Sequence, residues 1–425
     1  MTAVLFISLA VCLAIGVPVG FAIGISSMAF LMASGSAPLA IMSQKLVDGL
    51  NSFPLLALPL FVIAGDIMSY GCTPRLIKFA NLLLGRAPGG LGSAGIAGSA
   101  VFGAISGSGV ATTAAMGGIV GPEMVKNKYK PGYTASVLTA AGVLGSVIPP
   151  SLPLVVYASA SNQSIRALFM ASLTPGLVCI AALIVFNTIV SKRNGYGSSN
   201  IKYTVKEKIK ITLDAIPTLL MPVIVLGSVL GGIMTPTESA VVAVVYSFIL
   251  ATFLYKELKF KDFINITTRS VITTSAIMFI MACAAPFGWI VAFNNIPSAM
   301  AASILAISSN KYIVLLLLMI LILFLGTFME GISIILILTP ILLPIMKTLG
   351  VDLVHFGILI NLNICIGAAT PPLAVCLFTM CRILKIRVED SFPDILYVVA
   401  ILSAVLVLLV FVPQIAMWLP ARLYG

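Results

Sequence analysis

The sequence predicts an all-α polytopic membrane protein with inverted structural repeats, two re-entrant helical hairpins and two broken transmembrane helices. Three observations predict this fold. The 425 residues are 60% hydrophobic and only 9% charged, which is far from the composition of a soluble globular protein. Apolar segments long enough to cross about 30 Å of hydrocarbon recur along the chain. Glycine and proline interrupt four of these segments at positions that repeat.

Hydropathy and the placement of Lys and Arg divide the chain into spans and hairpins. The hairpins are predicted over 88–124 and 312–346, and the broken helices that follow them over 133–160 and 353–381. A short surface segment is expected over 297–309. The other spans are predicted near 3–33, 53–71, 167–191, 212–231, 236–254, 266–292 and 394–420.

Lys and Arg lie mostly on one side of this arrangement. The inner side carries 19 of the 24 and the outer side the remaining five, as the positive-inside rule requires. The bias predicts a cytoplasmic N-terminus and a periplasmic C-terminus. It also accounts for the net charge of +11 without a nucleic-acid partner.

The second half of the sequence repeats the first at an offset of 222 residues (367 − 145). The aligned pairs are Gly109 and Gly331, Pro122 and Pro344, Gly145 and Gly367, and Pro149-Pro150 and Pro371-Pro372. Because the first hairpin enters from inside and the second from outside, the repeats are inverted, which is a recurrent plan of secondary transporters. We divide the chain accordingly into 1–210 and 211–425.

The interruptions carry the predicted chemistry. A helix broken inside the membrane exposes N–H groups at one new end and C=O groups at the other, and the C=O ends suit cations. We expect the hairpin tips, Ser106–Gly109 and Phe328–Gly331, to meet the breaks at Gly145–Ser151 and Gly367–Pro372. The carbonyl and hydroxyl oxygens gathered there predict cages for Na⁺.

Among the polar side chains, Glu330 is the functional candidate, because a carboxylate within an apolar hairpin is costly. Glu238 is equally compatible with a functional role and with a structural role at a helix N-terminus. Asp66 and Asp214 are expected near span ends, where solvation or capping explains them, and His355 near an outer boundary. The seven cysteines form no Cys-x-x-Cys pair and are interpreted as small buried hydrophobes.

An enzyme is not expected. The serines at 106 and 108 raise the alternative of an intramembrane serine hydrolase, but a serine nucleophile needs a base within hydrogen-bond reach. The single histidine, His355, belongs to the other half of the chain. We therefore predict no catalytic residues.

The ordered motifs resemble the large membrane subunit of tripartite ATP-independent periplasmic (TRAP) transporters. The resemblance covers nearly the whole chain. Its motifs are "DGLNSFPLLALPLFVIAGDIM" (48–68), "GAISGSGVATTAAMGGIVGPEM" (103–124), "GSVIPPSLPLVVYA" (145–158), "GGIMTPTESAVVAVVYS" (231–247), "GTFMEGISIILILTPILLPI" (326–345) and "INLNICIGAATPPLAVCLF" (360–378).

The resemblance implies Na⁺-coupled import of an organic acid across the bacterial inner membrane by an elevator mechanism. It implies two protein partners, a small integral-membrane subunit, expected as a separate chain, and a periplasmic substrate-binding protein. The substrate expected is a sialic acid or a C4-dicarboxylate-like anion. The alternative is a divalent-anion/Na⁺ symporter that works without a binding protein.

The resemblance also implies site residues, carried over position by position. One Na⁺ site is expected to involve Ser106, Ser108, Gly145, Ile148 and Pro150. A second is expected to involve Gly326, Gly367, Thr370 and Met380. The substrate is expected near Ser108, Thr112, Ser151, Glu330 and Thr370. Many members of the family carry Asp where this chain has Glu330. An acid beside an anionic substrate favours a ligand with hydroxyl groups, such as a sialic acid, over a bare dicarboxylate.

Overall fold

A computed structural model describes residues 2–35, 37–196, 203–300, 308 and 310–424. Within these ranges we number the α-helices α1 to α19. The first half of the chain contains α1 (Thr2–Ala14), α2 (Val19–Ser34), α3 (Ala40–Asp48), α4 (Ala57–Met68), α5 (Cys72–Leu84), α6 (Gly90–Ser106), α7 (Gly109–Lys126), α8 (Pro131–Val143), α9 (Leu152–Ser161) and α10 (Ile165–Asn194). The second half contains α11 (Val205–Leu230), α12 (Pro236–Ile249), α13 (Phe260–Phe293), α14 (Lys311–Gly326), α15 (Gly331–Thr348), α16 (Leu353–Ala369), α17 (Val375–Leu384), α18 (Asp394–Phe411) and α19 (Gln414–Tyr424).

Within the described ranges, six helices are long and apolar enough to cross a membrane, namely α10, α11, α12 with its π-helical extension to Leu254, α13, α15 and α18. Large apolar side chains on their outer faces are exposed, among them Val223, Phe253 and Ile272. Such an apolar exterior is favourable against lipid. The predicted all-α membrane fold is therefore confirmed.

The predicted single span over 3–33 is wrong. The chain instead forms α1 and α2, which are packed against each other, and it folds back at a turn that contains Gly16 with φ +82°. Helices of 13 and 16 residues reach only about 20–24 Å, because each residue adds about 1.5 Å. Two helices packed side by side therefore replace the predicted single span.

Two further helices lie where only loops were expected. The α3 helix covers the loop that holds Lys45, and α5 covers the loop that holds Arg75. The α5 helix buries Cys72, Leu76 and Ala80, which are spaced by one helical turn. The charged residues on the opposite face of α5 lower the mean hydropathy of this segment, so hydropathy did not predict a helix there. The predicted surface segment over 297–309 lies largely outside the described residues.

The repeat seen in the sequence is present in the helices. The offset of 222 residues carries α7 onto α15, both of which begin at a glycine, Gly109 or Gly331. It also carries the first residue of α8 onto that of α16, and α9 to within one residue of α17. Each predicted hairpin is thus a pair of helices, α6–α7 or α14–α15, and each predicted broken helix is a pair, α8–α9 or α16–α17.

The four pairs interlock across the repeats. The α7 helix of the first hairpin packs on α8 of its own repeat and on α17 of the other. The α15 helix of the second hairpin packs on α16 of its own repeat and on α9 of the other. This exchange brings both hairpin tips and both helix breaks to the middle of the molecule.

A buried polar network anchors the base of the first hairpin to α10. The Asn187 side chain accepts a hydrogen bond from the Tyr133 hydroxyl at 2.9 Å. Its amide donates to the Gly89 carbonyl and to Ser93 Oγ, both at 2.9 Å. The side chain is fully buried, so its polar atoms can be satisfied only by these partners.

We expect Asn187→Leu to lower the thermal unfolding midpoint of the purified protein. The substitution removes the hydrogen-bond partner of the buried Tyr133 hydroxyl and of Ser93 Oγ, at a cost of about 1–3 kcal/mol for each group left unpaired. Thr188→Val is the matched control, because Thr188 bonds only to Ile184 of its own helix. Equal unfolding midpoints for the two variants would contradict an anchoring network.

Candidate functional site

The tip of the first hairpin is a tight turn between α6 and α7. Gly107 ends α6 with φ +63°, a conformation that favours glycine. Ser108 is the N-cap of α7, and its hydroxyl accepts a hydrogen bond from the Ala111 amide at 3.4 Å. Thr112 Oγ1 lies 3.0 Å from Ser106 Oγ and donates to the Ser108 carbonyl at 2.8 Å. Hydroxyl and carbonyl oxygens are therefore concentrated at this tip.

The tip is bonded to the break between α8 and α9. Gly109 donates its amide to Ser146 Oγ at 2.7 Å, and Leu152 donates its amide to the Gly107 carbonyl at 3.2 Å. Ser151, the N-cap of α9, donates its hydroxyl to the Ser146 carbonyl. The broken helix thus recovers part of its lost hydrogen bonding from the hairpin, as a backbone inside a membrane must.

Close approach of the two elements depends on missing side chains. A Cβ atom on Gly145 would lie 2.8 Å from Thr112 Cβ and 3.1 Å from the Ser108 carbonyl oxygen, and one on Gly103 would collide with Gly145 itself. A Cβ atom on Gly65 of α4 would lie 2.7 Å from Ser106 Cα. Glycine on three sides is what allows the tip to reach the break.

We call the contact between the first hairpin tip and the break between α8 and α9 the first junction. The second repeat builds a corresponding second junction between its own hairpin tip and the break between α16 and α17. Leu373 at the second break donates its amide to the Thr327 carbonyl at the second tip, at 3.1 Å. A Cβ atom on Gly326 would lie 3.2 Å from Gly367 Cα, so these helices also meet through backbone. The Pro149-Pro150 and Pro371-Pro372 peptide bonds are both cis.

Ser108 and Glu330 occupy equivalent positions and perform the same local task. Glu330 is the N-cap of α15, and its carboxylate accepts from the Ser333 amide at 3.2 Å, as Ser108 accepts from the Ala111 amide in α7. A carboxylate near a helix N-terminus is favourable. The second repeat therefore places a negative charge where the first has a hydroxyl group.

One cavity of about 180 Å³ separates the two junctions. The first residues of α7, α9, α15 and α17 line it, and among the residues that the structure describes Glu330 is the only Asp, Glu, Lys or Arg in its lining. The side chains of Phe328, Leu373 and Val375 at its edge are about half exposed, so the cavity opens to the protein surface. The predicted substrate residues Ser108 and Glu330 line this cavity directly.

The remaining predicted residues lie around the cavity in two groups. Ser106, Thr112, Gly145, Pro150 and Ser151 are buried at the first junction, with Ile148 between Gly145 and Pro150. At the second junction Gly326 meets Gly367, and Thr370 donates its amide to the Gly367 carbonyl at 2.9 Å. Met380 packs instead against Gly117 and Gly121 of the first hairpin.

Two polar residues at the site were not singled out from the sequence. Ser146 bonds both to the hairpin tip and to Ser151, and Asn361 of α16 donates its amide to the Ser146 carbonyl at 2.9 Å. Asn361 had an available signal, because an asparagine within an apolar membrane helix is costly unless it has a partner. Ser146 had none apart from its place in the break.

A family model described as the tripartite ATP-independent periplasmic transporter, DctM component, matches residues 6–415. The chain belongs to the DctM family. Two relatives of this family are an isethionate TRAP transporter permease protein, DctMQ, from Oleidesulfovibrio alaskensis and the sialic acid TRAP transporter large permease protein SiaM from Vibrio cholerae. The DctMQ protein is 38% identical over 98% of this chain and 66% of the length of DctMQ. The second is 37% identical over 96% of each chain.

Among solved structures, the crystal structure of the Alcanivorax borkumensis YdaH transporter has a TM-score of 0.60 with this DctM-family chain. The match covers 91% of both chains at 15% identity, so it shows a shared fold. The family model and the sequence relatives confirm the predicted resemblance to the large membrane subunit of TRAP transporters.

We expect Gly145→Ala to abolish or strongly reduce transport, because the added methyl group collides with the Thr112 side chain and separates the hairpin tip from the break. Gly118→Ala is the control, since a Cβ atom on Gly118 has no neighbour within 4 Å. The measurement is substrate uptake per folded protein in proteoliposomes. Similar uptake by both variants would contradict a required backbone contact at Gly145.

Proposed function

We propose that this protein is the large permease of a TRAP transporter that imports an organic acid across the bacterial inner membrane, coupled to Na⁺ and by an elevator motion. The observation that supports this best is the arrangement of two hairpin tips and two helix breaks around one cavity. Secondary transporters commonly bind substrate and coupling ion where broken helices meet near the middle of the membrane.

Na⁺ coupling is supported by the kind of ligands present. The first junction offers the hydroxyl groups of Ser106 and Thr112 and the carbonyl of Ser108 within one cluster, all of them neutral oxygens. Among the described residues, no group of three His, Cys, Asp or Glu side chains could hold a metal ion. A coupling ion in this site is therefore one that accepts hydroxyl and carbonyl ligands, as Na⁺ does.

Uptake into proteoliposomes is expected to stop when external Na⁺ is replaced by K⁺ or choline. We further expect Ser106→Ala to raise the half-saturating Na⁺ concentration about tenfold, because the ion loses one oxygen ligand. Ser172→Ala is the control, since Ser172 bonds only within its own helix. Unchanged uptake in K⁺ would show that Na⁺ is not the coupling ion.

The organic-acid substrate is supported by the direction of the helices at the cavity. The N-termini of α7, α9, α15 and α17 face it and provide partial positive charge, while Lys and Arg are missing from its lining. The two relatives are named for isethionate and for a sialic acid, so similarity of this degree is compatible with more than one organic acid. We favour a polyhydroxylated acid such as a sialic acid, because the Glu330 carboxylate can accept hydrogen bonds from hydroxyl groups.

Glu330→Gln tests this substrate class. The amide oxygen of Gln can still cap α15, so the fold is expected to persist while the charged acceptor is lost. For sialic acid we expect KM to rise about tenfold, since hydrogen bonds to charged groups are worth about 1.5–3 kcal/mol. Labelled succinate provides the comparison. Uptake of succinate alone by the wild-type protein would contradict the sugar-acid assignment.

The elevator motion is supported by a second cavity of about 440 Å³ between α3 and α13 on one side and α9 and α15 on the other. Few polar contacts cross this boundary. One is a hydrogen bond from Ser159, in α9, to Ser52, with the two hydroxyl oxygens 3.4 Å apart. Because few hydrogen bonds would have to break at this boundary, we propose that the hairpins and broken helices slide as a body against α3 and α13.

Ser52→Cys combined with Ser159→Cys is expected to form a disulfide on mild oxidation and to stop transport, with recovery on reduction. The hydroxyl separation of 3.4 Å places the two thiols within reach of each other. Each single substitution is the control, because it keeps the seven native cysteines but lacks the second introduced thiol. Full transport in a completely crosslinked sample would exclude sliding at this boundary.

The family assignment favours a tripartite system over the symporter that needs no binding protein. We propose a small membrane subunit and a periplasmic binding protein as partners. We also propose that the basic loops lie on the cytoplasmic side of the membrane. Uptake measured with and without the matching binding protein distinguishes the two alternatives. Transport at full rate without that protein would favour the symporter.

A further inference from the structure

Ser146 is the point at which three separate elements meet. Its hydroxyl oxygen accepts the Gly109 amide of the first hairpin, and its carbonyl accepts the Ser151 hydroxyl across the break. The same carbonyl accepts the Asn361 amide of α16, which belongs to the second repeat. Ser146 also lines the central cavity. Any displacement of α16 is therefore transmitted to the first junction through Asn361.

Asn361 lies on the cavity-facing side of α16. Ile364, Cys365 and Ala368 line the cavity, and they follow Asn361 by three, four and seven residues, so all four share one helix face. Gly367, on the same helix, contacts Gly326 of the second hairpin. A single rigid helix thus contacts the second junction, the cavity and, through Asn361, the carbonyl of Ser146.

The bridge is asymmetric. Asn361 is buried, with 1% of its surface exposed, and its Nδ2 supplies the hydrogen bond to Ser146, while its Oδ1 has no donor among the described residues. The equivalent position in the first repeat is Thr139, whose side chain is too short for such a bridge and whose Oγ1 also has no partner in the described part of the chain. The connection runs only from the second repeat to the first.

We propose that Asn361 is a positioning residue that couples the two cation sites, holding the Ser146 carbonyl so that the first junction takes its ion-binding geometry when the second is occupied. This inference depends on the proposed Na⁺ coupling. It goes further, because it assigns the cooperativity between the two ions to one hydrogen bond between the repeats. Coupling of this kind is a free energy shared by two sites.

The sequence provides a matched control two residues away. Asn363 is also buried in α16, and its amide donates to the Met319 carbonyl of α14 at 2.7 Å. Two residues along a helix is a rotation of about 200°, so Asn363 faces away from the first junction. Asn361→Ser and Asn363→Ser each remove one buried amide–carbonyl hydrogen bond from the same helix. The bond lost in Asn361→Ser joins the two repeats, whereas the bond lost in Asn363→Ser lies within the second repeat.

The test measures the Na⁺ dependence of uptake in proteoliposomes and the Na⁺-induced rise in the unfolding midpoint of the purified protein. For Asn361→Ser we expect the half-saturating Na⁺ concentration to rise about tenfold and the Hill coefficient to fall toward one, in keeping with the loss of one buried hydrogen bond. For Asn363→Ser we expect both quantities to stay at the wild-type values. A purely structural role would lower the midpoint of both variants without changing either Na⁺ parameter.

Any of four outcomes overturns the proposal. The first is an equal Na⁺ dependence of Asn361→Ser and Asn363→Ser. The second is a lower half-saturating Na⁺ concentration for Asn361→Asp than for the wild type, which would make residue 361 a direct ion ligand. The third is a wild-type protein without Na⁺ dependence, which defeats the proposed coupling ion as well. The fourth is a wild type that depends on Na⁺ together with an Asn361→Ser variant that has the same Na⁺ dependence. That result would defeat the inference about Asn361 and leave the proposed coupling ion in place.

Discussion

The structure depends on one constraint, that a backbone interrupted inside a membrane must find new hydrogen-bond partners within the protein. Each broken helix finds part of them at the tip of the hairpin before it. Leu152 bonds to the Gly107 carbonyl in the first repeat, and Leu373 bonds to the Thr327 carbonyl in the second. Because neither partner is satisfied alone, hairpin and break form a unit, and the functional site lies where two such units face each other.

Glycine residues allow the interrupted backbone to reach its new hydrogen-bond partners. Several contacts between tip and break are backbone contacts, and Gly103, Gly145, Gly326 and Gly367 leave the space for them. Small residues allow membrane helices to approach closely, which is the usual basis of their association without a hydrophobic driving force. The same absence of side chains leaves carbonyl and hydroxyl oxygens near the cavity, where they are available to a ligand.

The two repeats share a framework and differ in their chemistry. Ser108 and Glu330 cap equivalent helices, yet only Glu330 brings a charge to the cavity. Asn361 reaches across to the first break, and its counterpart Thr139 has no such partner. The repeat therefore supplies two similar junctions, and a few differences in sequence give one of them a carboxylate and connect it to the other.

The sequence was enough to predict the membrane class, the hairpins and the breaks, because these depend on local composition and on glycine and proline within apolar segments. It could not determine the fold-back of α1 and α2, since a turn at Gly16 within an apolar run leaves hydropathy unchanged. Nor could it select Asn361, whose role depends on an atom 215 residues away in sequence. Which polar atoms meet is visible only in the folded protein, because packing between distant helices brings them within hydrogen-bond distance.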